Sequence, residues 1–149
     1  MTASGDRDEE TVSAEMSRIY SETVIEHSVN PRNMGELDNA DGFARITAPC
    51  GDTMQIWLRV KFGTITDISF MTDGCGTTIA SGSMVTHLAR GKSVSEAQNV
   101  GPQDVLKALG GLPDDSRHCA LLAARTLMAA IRDYLAMSRE PWKKAYRSH

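Results

Sequence analysis

The chain has 149 residues and a mass of 16.2 kDa, 41% of them hydrophobic and 23% charged, the make-up of one ordinary globular domain with short extensions. A formal net charge of -3 and a pI near 5.8 speak against nucleic acid as the main partner, and no apolar run approaches the ~20 residues that span a bilayer. Residues 1–15 lack the apolar stretch of a secretory signal and are too acidic for a mitochondrial transit peptide. The expected setting is therefore a reducing, cytoplasmic one, in which the three cysteines are free or metal-bound rather than a disulfide framework.

Residues 1–14 are small, polar and acidic and read as a flexible tail. The expected domain runs over 15–138 and is followed by a basic tail over 139–149 that holds Trp142 and Tyr146. From 15 to 27, Met16, Ile19, Tyr20, Val24 and Ile25 recur at helical spacing, and Pro31 ends that helix. A loop rich in Gly, Asn and Asp leads to a first strand over 43–47. In the next segment Met54, Ile56, Leu58 and Val60 alternate with Gln55, Trp57, Arg59 and Lys61, which predicts a half-buried strand with the second set on the polar face. A tight connection at 61–64 and a return strand over 65–71 complete an antiparallel meander. The rest is helical: a small-residue helix over 77–90, a capping box at Ser93 and Glu96, and a helix over 102–109 with Pro102 at its first position. A last helix is expected to end near Met137. Asp114, Asp115 or Ser116 would cap it, and Leu121, Ala124, Met128, Ile131 and Leu135 would form its buried stripe. The predicted class is α+β, a three-stranded antiparallel sheet packed against four to five helices.

Three thiolates form an unusual inventory. Permanent iron–sulfur and zinc sites often use four cysteines; here a fourth ligand must be oxygen or nitrogen, which holds iron less firmly than sulfur does. Cys50 and Asp52 flank Gly51 in the turn before the second strand, so both side chains can face a common center, with Gly51 keeping the approach clear. A plain turn with a small buried cysteine is the competing reading of that pair. Cys75, between Gly74 and Gly76 at a strand-to-helix junction, sits where helix amides favor a thiolate. His118 and Cys119 open the last helix, where the dipole again favors thiolate. Neighbors on a helix project about 100° apart, which makes them a poor nucleophile–base pair although both can border one pocket.

The ordered set of motifs resembles the iron–sulfur cluster assembly scaffolds, the IscU-type proteins and the N-terminal domain of NifU-type proteins. It comprises residues 20–27 (YSETVIEH), Asn30-Pro31-Arg32-Asn33, Cys50-Gly51-Asp52-Thr53-Met54 and Asp73-Gly74-Cys75-Gly76. It continues through Ile79-Ala80-Ser81-Gly82-Ser83, Gly91-Lys92-Ser93 and Leu112-Pro113 to His118-Cys119. The resemblance implies that Cys50, Cys75 and Cys119 ligate a [2Fe-2S] cluster, with Asp52 and His118 as further ligand candidates. It also implies sulfur arriving as a persulfide from a cysteine desulfurase onto Cys119, iron or electrons from a frataxin-like protein or a ferredoxin, and delivery to apo iron–sulfur proteins. Tyr20 matches a tyrosine linked to homodimerization. Where IscU-type proteins carry Leu-Pro-Pro-Val-Lys, recognized by an Hsp70-type chaperone, this chain has Leu112-Pro113-Asp114-Asp115-Ser116, so that recognition is not implied.

Two other functions fit the same residues. Three cysteines with Asp52 or His118 can close a tetrahedral zinc site. A cysteine hydrolase would need a Cys–His pair with an orienting group.

Overall fold

The computed structural model describes residues 20–142; the expected N-terminal tail and most of the basic C-terminal one lie outside that range. The first described helix, α1, spans Glu22–Val29, because the Ser21 hydroxyl accepts the Val24 amide and stops the helix at an extended residue. Tyr20 therefore precedes the helix instead of lying in it, and Met16 and Ile19 fall outside the described residues. The other side of the Ser21 hydroxyl donates to the Leu109 carbonyl, fastening the start of α1 to a distant helix end.

Strands β1 (Gly42–Thr47), β2 (Thr53–Lys61) and β3 (Thr64–Thr72) form one antiparallel sheet in chain order. The hairpin between β2 and β3 turns on Phe62 and Gly63, both at positive φ, as a two-residue turn of matching twist requires. The free edge of β3 is partly covered by the loop after α1: the Phe70 amide donates to Asn33 and its carbonyl accepts from Gly35, both at 2.9 Å. Ala44, Ile56 and Phe70 lie in register across the sheet and all face the core.

Trp57 corrects the alternation reading. It is only 3% exposed, and its ring packs against Phe43, its cross-strand partner, with centroids 5.2 Å apart. Alternation assigns a side chain to a face of the sheet but does not say whether that face is covered, and an aromatic pair across strands covers its own patch.

Helix α2 (Gly76–Ala89) packs on β3, and the 23-residue α5 (Arg117–Arg139) runs over β1 and β2. Between them in sequence lie α3 (Val94–Ala97), with the expected reciprocal cap of Ser93 and Glu96, and α4 (Pro102–Leu109), closed by Gly110 at φ 79°. Gly82 marks the closest approach of α2 to the sheet: a Cβ there would lie 2.5 Å from the Phe70 ring.

In α5 two expectations change. Asp114–Ser116 form a 3-10 turn, and Ser116 at the cap position makes no side-chain capping bond. The buried face runs through Leu122, Ala123, Ala124, Leu127, Ala130 and Ile131, so that of the expected stripe Ala124 and Ile131 are buried and Met128 and Leu135 half-buried, whereas Leu121 is 37% exposed. Several apolar stripes fit the helical repeat of this alanine-rich segment, and the one used is the one that meets the sheet. Among the described residues no helix is long and apolar enough to cross a membrane.

Candidate metal centre

Three separate stretches of chain end at the same edge of the fold. The first is the β1–β2 connection. Its turn is closed by Ala48 and Asp52, amide to carbonyl at 2.8 Å, and by the Gly51 amide on Ala48 at 2.9 Å. Gly51 has φ +98°, and a Cβ there would meet nothing within 4 Å. Its task is conformational, not the clearing of space expected from sequence. This turn leaves Cys50 exposed at its tip and Asp52 half-buried.

The second stretch is the start of α2. Cys75 is its N-cap residue, exposed, with Sγ 3.3 Å from the Thr77 hydroxyl and 3.9 Å from that of Thr78. The Thr77 hydroxyl, more than any other group, holds the Cys75 thiol below its ordinary range, and the amides of Thr77 and Thr78 add to it against the cost of burial. A Cβ on Gly74 would lie 2.6 Å from Thr78, so this glycine is required by the packing of that side chain. A Cβ on Gly76 would make only an ordinary contact with Ser28, at 3.6 Å.

The third stretch is the start of α5. Cys119 is buried, with Sγ 3.4 Å from the Thr77 hydroxyl and 3.4 Å from that of Thr78. Burial pushes its thiol up, and the nearby Cys75 and Asp52 push the same way against the two hydroxyls. The thiolate expected at this helix start is therefore not favored, because loss of water outweighs the hydrogen bonds from the two hydroxyls. The exposed His118 imidazole reaches back across the helix surface and places Nε2 3.8 Å from Cys119 Sγ. The expected divergence of the two side chains does not hold at the ring tip. Even so, a buried thiol shifted upward is a poor nucleophile, so Cys119 with His118 does not make the pair a hydrolase needs.

Cys50, Asp52 and His118 each offer a ligand atom, and these atoms lie within 4.8 Å of one another. In a tetrahedral site with bonds of 2.0–2.3 Å, donors sit roughly 3.3–3.8 Å apart, so a small contraction suffices. Asp52 Oδ2 in turn accepts from the Thr78 hydroxyl at 3.0 Å, and Thr78 touches both remaining sulfurs. All five residues singled out from sequence thus join one connected group. Thr77 and Thr78 are the residues sequence reasoning missed. Their signal was faint: two β-branched hydroxyl residues just after a helix-capping cysteine.

A family model described as the NifU-like N terminal domain matches residues 19–140. The iron-sulfur cluster assembly scaffold protein IscU 1 of Archaeoglobus fulgidus is 46% identical over 117 residues, which cover 78% of this chain and 76% of that protein. The iron-sulfur cluster assembly scaffold protein IscU of Escherichia coli K12 is 46% identical over 120 residues, covering 77% and 93%. The crystal structure of a nitrogen-fixing NifU-like protein (N-terminal) from Brucella abortus superposes with a TM-score of 0.63 at 23% identity, covering 79% of this chain and 95% of that one, a likeness of fold.

Proposed function

The chain belongs to the NifU-like N-terminal domain family, and on that premise we propose that it is a scaffold, not an enzyme, on which a [2Fe-2S] cluster is built and then handed to apo-proteins. The observation that carries this reading is the convergence of three thiols, a carboxylate and an imidazole at one open edge of the fold. Relatives that cover most of the chain are named for iron–sulfur cluster assembly. In this reading the cluster is cargo. Cys50, Cys75 and Cys119 hold its irons, and Asp52 or His118 closes the coordination with a harder donor that an incoming thiolate can displace.

Sulfur would come from a cysteine desulfurase as a persulfide on Cys119. Because Cys119 is 1% exposed, delivery requires the start of α5 to part from α2. Iron or electrons would come from a frataxin-like protein or a ferredoxin.

A zinc-binding role is the second reading, favored by one observation: the donors of Cys50, Asp52 and His118 are spaced for a single ion. Anaerobic reconstitution with iron, cysteine and a cysteine desulfurase separates the two. The scaffold reading expects the visible absorption and Mössbauer signature of a [2Fe-2S] cluster, followed by transfer to an apo-ferredoxin. A chain that takes up Zn2+ with high affinity but never colors under those conditions would establish the zinc reading instead.

A further inference from the structure

Thr78 lies in the first turn of α2 and is fully buried. Its hydroxyl is 3.0 Å from Asp52 Oδ2, 3.4 Å from Cys119 Sγ and 3.9 Å from Cys75 Sγ. A hydroxyl has one proton to give, and an ionized carboxylate can only accept. In the contact with Asp52 the Thr78 hydroxyl is therefore the donor.

A hydroxyl deeper in a helix commonly bonds the carbonyl four residues back. Ser81 and Thr86 in the same helix do so, to Thr77 and Gly82, each at 2.8 Å; Thr78, in the first turn, has only Gly74, outside the helix, at that place. Thr78 is instead aimed across the site at a residue 26 positions away. The chain also makes room for it. Residue 74 carries no side chain where a Cβ would lie 2.6 Å from Thr78.

We propose that Thr78 is a positioning residue of the metal site: its hydroxyl holds the Asp52 carboxylate in ligating range of Cys50 and His118, acting on the metal only through Asp52. This rests on the reading of the edge site as a metal site. Ligating carboxylates are generally hydrogen-bonded by a second layer of groups, and losing such a partner costs about 10–100-fold in metal affinity. Thr77, whose hydroxyl lies between Cys75 and Cys119, has no contact with Asp52 among the described hydrogen bonds and is not assigned this role.

The probe is Co2+, whose visible bands report tetrahedral coordination and bound thiolate. Titrations would compare the wild type with Thr78→Val, Thr78→Ser, Asp52→Ala and the double variant Asp52→Ala/Thr78→Val. The expected result is a loss of about 10–100-fold in Co2+ affinity for Thr78→Val, recovered in Thr78→Ser, and no further loss when Thr78→Val is added to Asp52→Ala. Wild-type affinity in Thr78→Val would overturn the proposal. So would an equal loss in the Asp52→Ala background, because Thr78 would then act through packing and not through the carboxylate. Should Thr78→Val fail to fold by circular dichroism, Thr78→Ala takes its place. If reconstitution yields no cluster while Co2+ binding depends on Thr78 as described, the scaffold reading falls and this inference stands. A wild type that binds no Co2+ overturns the inference.

Discussion

Cys75 and Cys119 share the hydroxyl of Thr77, at 3.3 and 3.4 Å, yet their surroundings drive them in opposite directions. At Cys75 the hydrogen bonds to the sulfur win and the thiol is held low; at Cys119 burial wins and the thiol is pushed up. A lowered value leaves more thiolate at neutral pH, a raised one leaves less, and the thiolate is the nucleophile. In chelator-treated protein at pH 7, iodoacetamide is expected to modify Cys75 at least roughly tenfold faster than Cys119, which reacts only after local opening of the α5 start. Peptide mass spectrometry over time checks this, and the rate at Cys75 should level off at a lower pH than that of a free thiol. Equal rates at the two positions would show that the α5 start does not shield Cys119. At this scale the sequence made the ligand candidates readable, since cysteines bracketed by glycine, aspartate or histidine stand out. It did not reveal their acidities. Those depend on which side chain shares a pocket with which, and Thr77 and Thr78 enter that pocket only when α2 is laid against α5.

Helix α2 shows how element-scale contacts decide what a residue is for. Gly82 is a weak helix former, and replacing it with alanine would by propensity alone gain about 1 kcal/mol. The packing argues the other way. The added Cβ would lie 2.5 Å from one Phe70 ring atom and 3.1 Å from Met54 Cε, both on fully buried side chains. Overpacking of this kind typically costs 1–3 kcal/mol, so the net effect of Gly82→Ala should be a loss of up to about 2 kcal/mol. Urea unfolding followed by circular dichroism should show a lower midpoint at unchanged slope; a higher midpoint would mean that α2 stands farther from the sheet than described. Strong local signals made the other elements legible. The Ser93–Glu96 box, Pro102 and Gly110 each stand where their chemistry predicts. The failures came where local patterns were degenerate. Ser21 could begin a helix or continue one, an alanine-rich α5 offered several stripes, and Trp57 matched the polar phase of a strand whose second face is covered at that point.

The placement of the site across the fold has a thermodynamic consequence. Its ligand candidates come from the β1–β2 turn, the start of α2 and the start of α5, and hydrogen bonds through Thr77 and Thr78 connect the three. An ion bound there ties together segments up to 69 residues apart in sequence, Cys50 to Cys119. An unfolded chain does not hold those donors together, so binding favors the native state. One site filled by free ligand at 100 times its dissociation constant stabilizes the fold by about 2.7 kcal/mol. For a chain of this length that corresponds to a rise in Tm of roughly 8–10 °C. Calorimetry in Zn2+ at that excess should show the increase, EDTA should reverse it, and Cys50→Ala, at an exposed turn tip, should lower the gain with little effect on the metal-free Tm. A gain that survives Cys50→Ala would place the ion away from the turn. A gain that disappears with it would mean that the ion stabilizes the fold through Cys50, the ligand candidate of the β1–β2 turn.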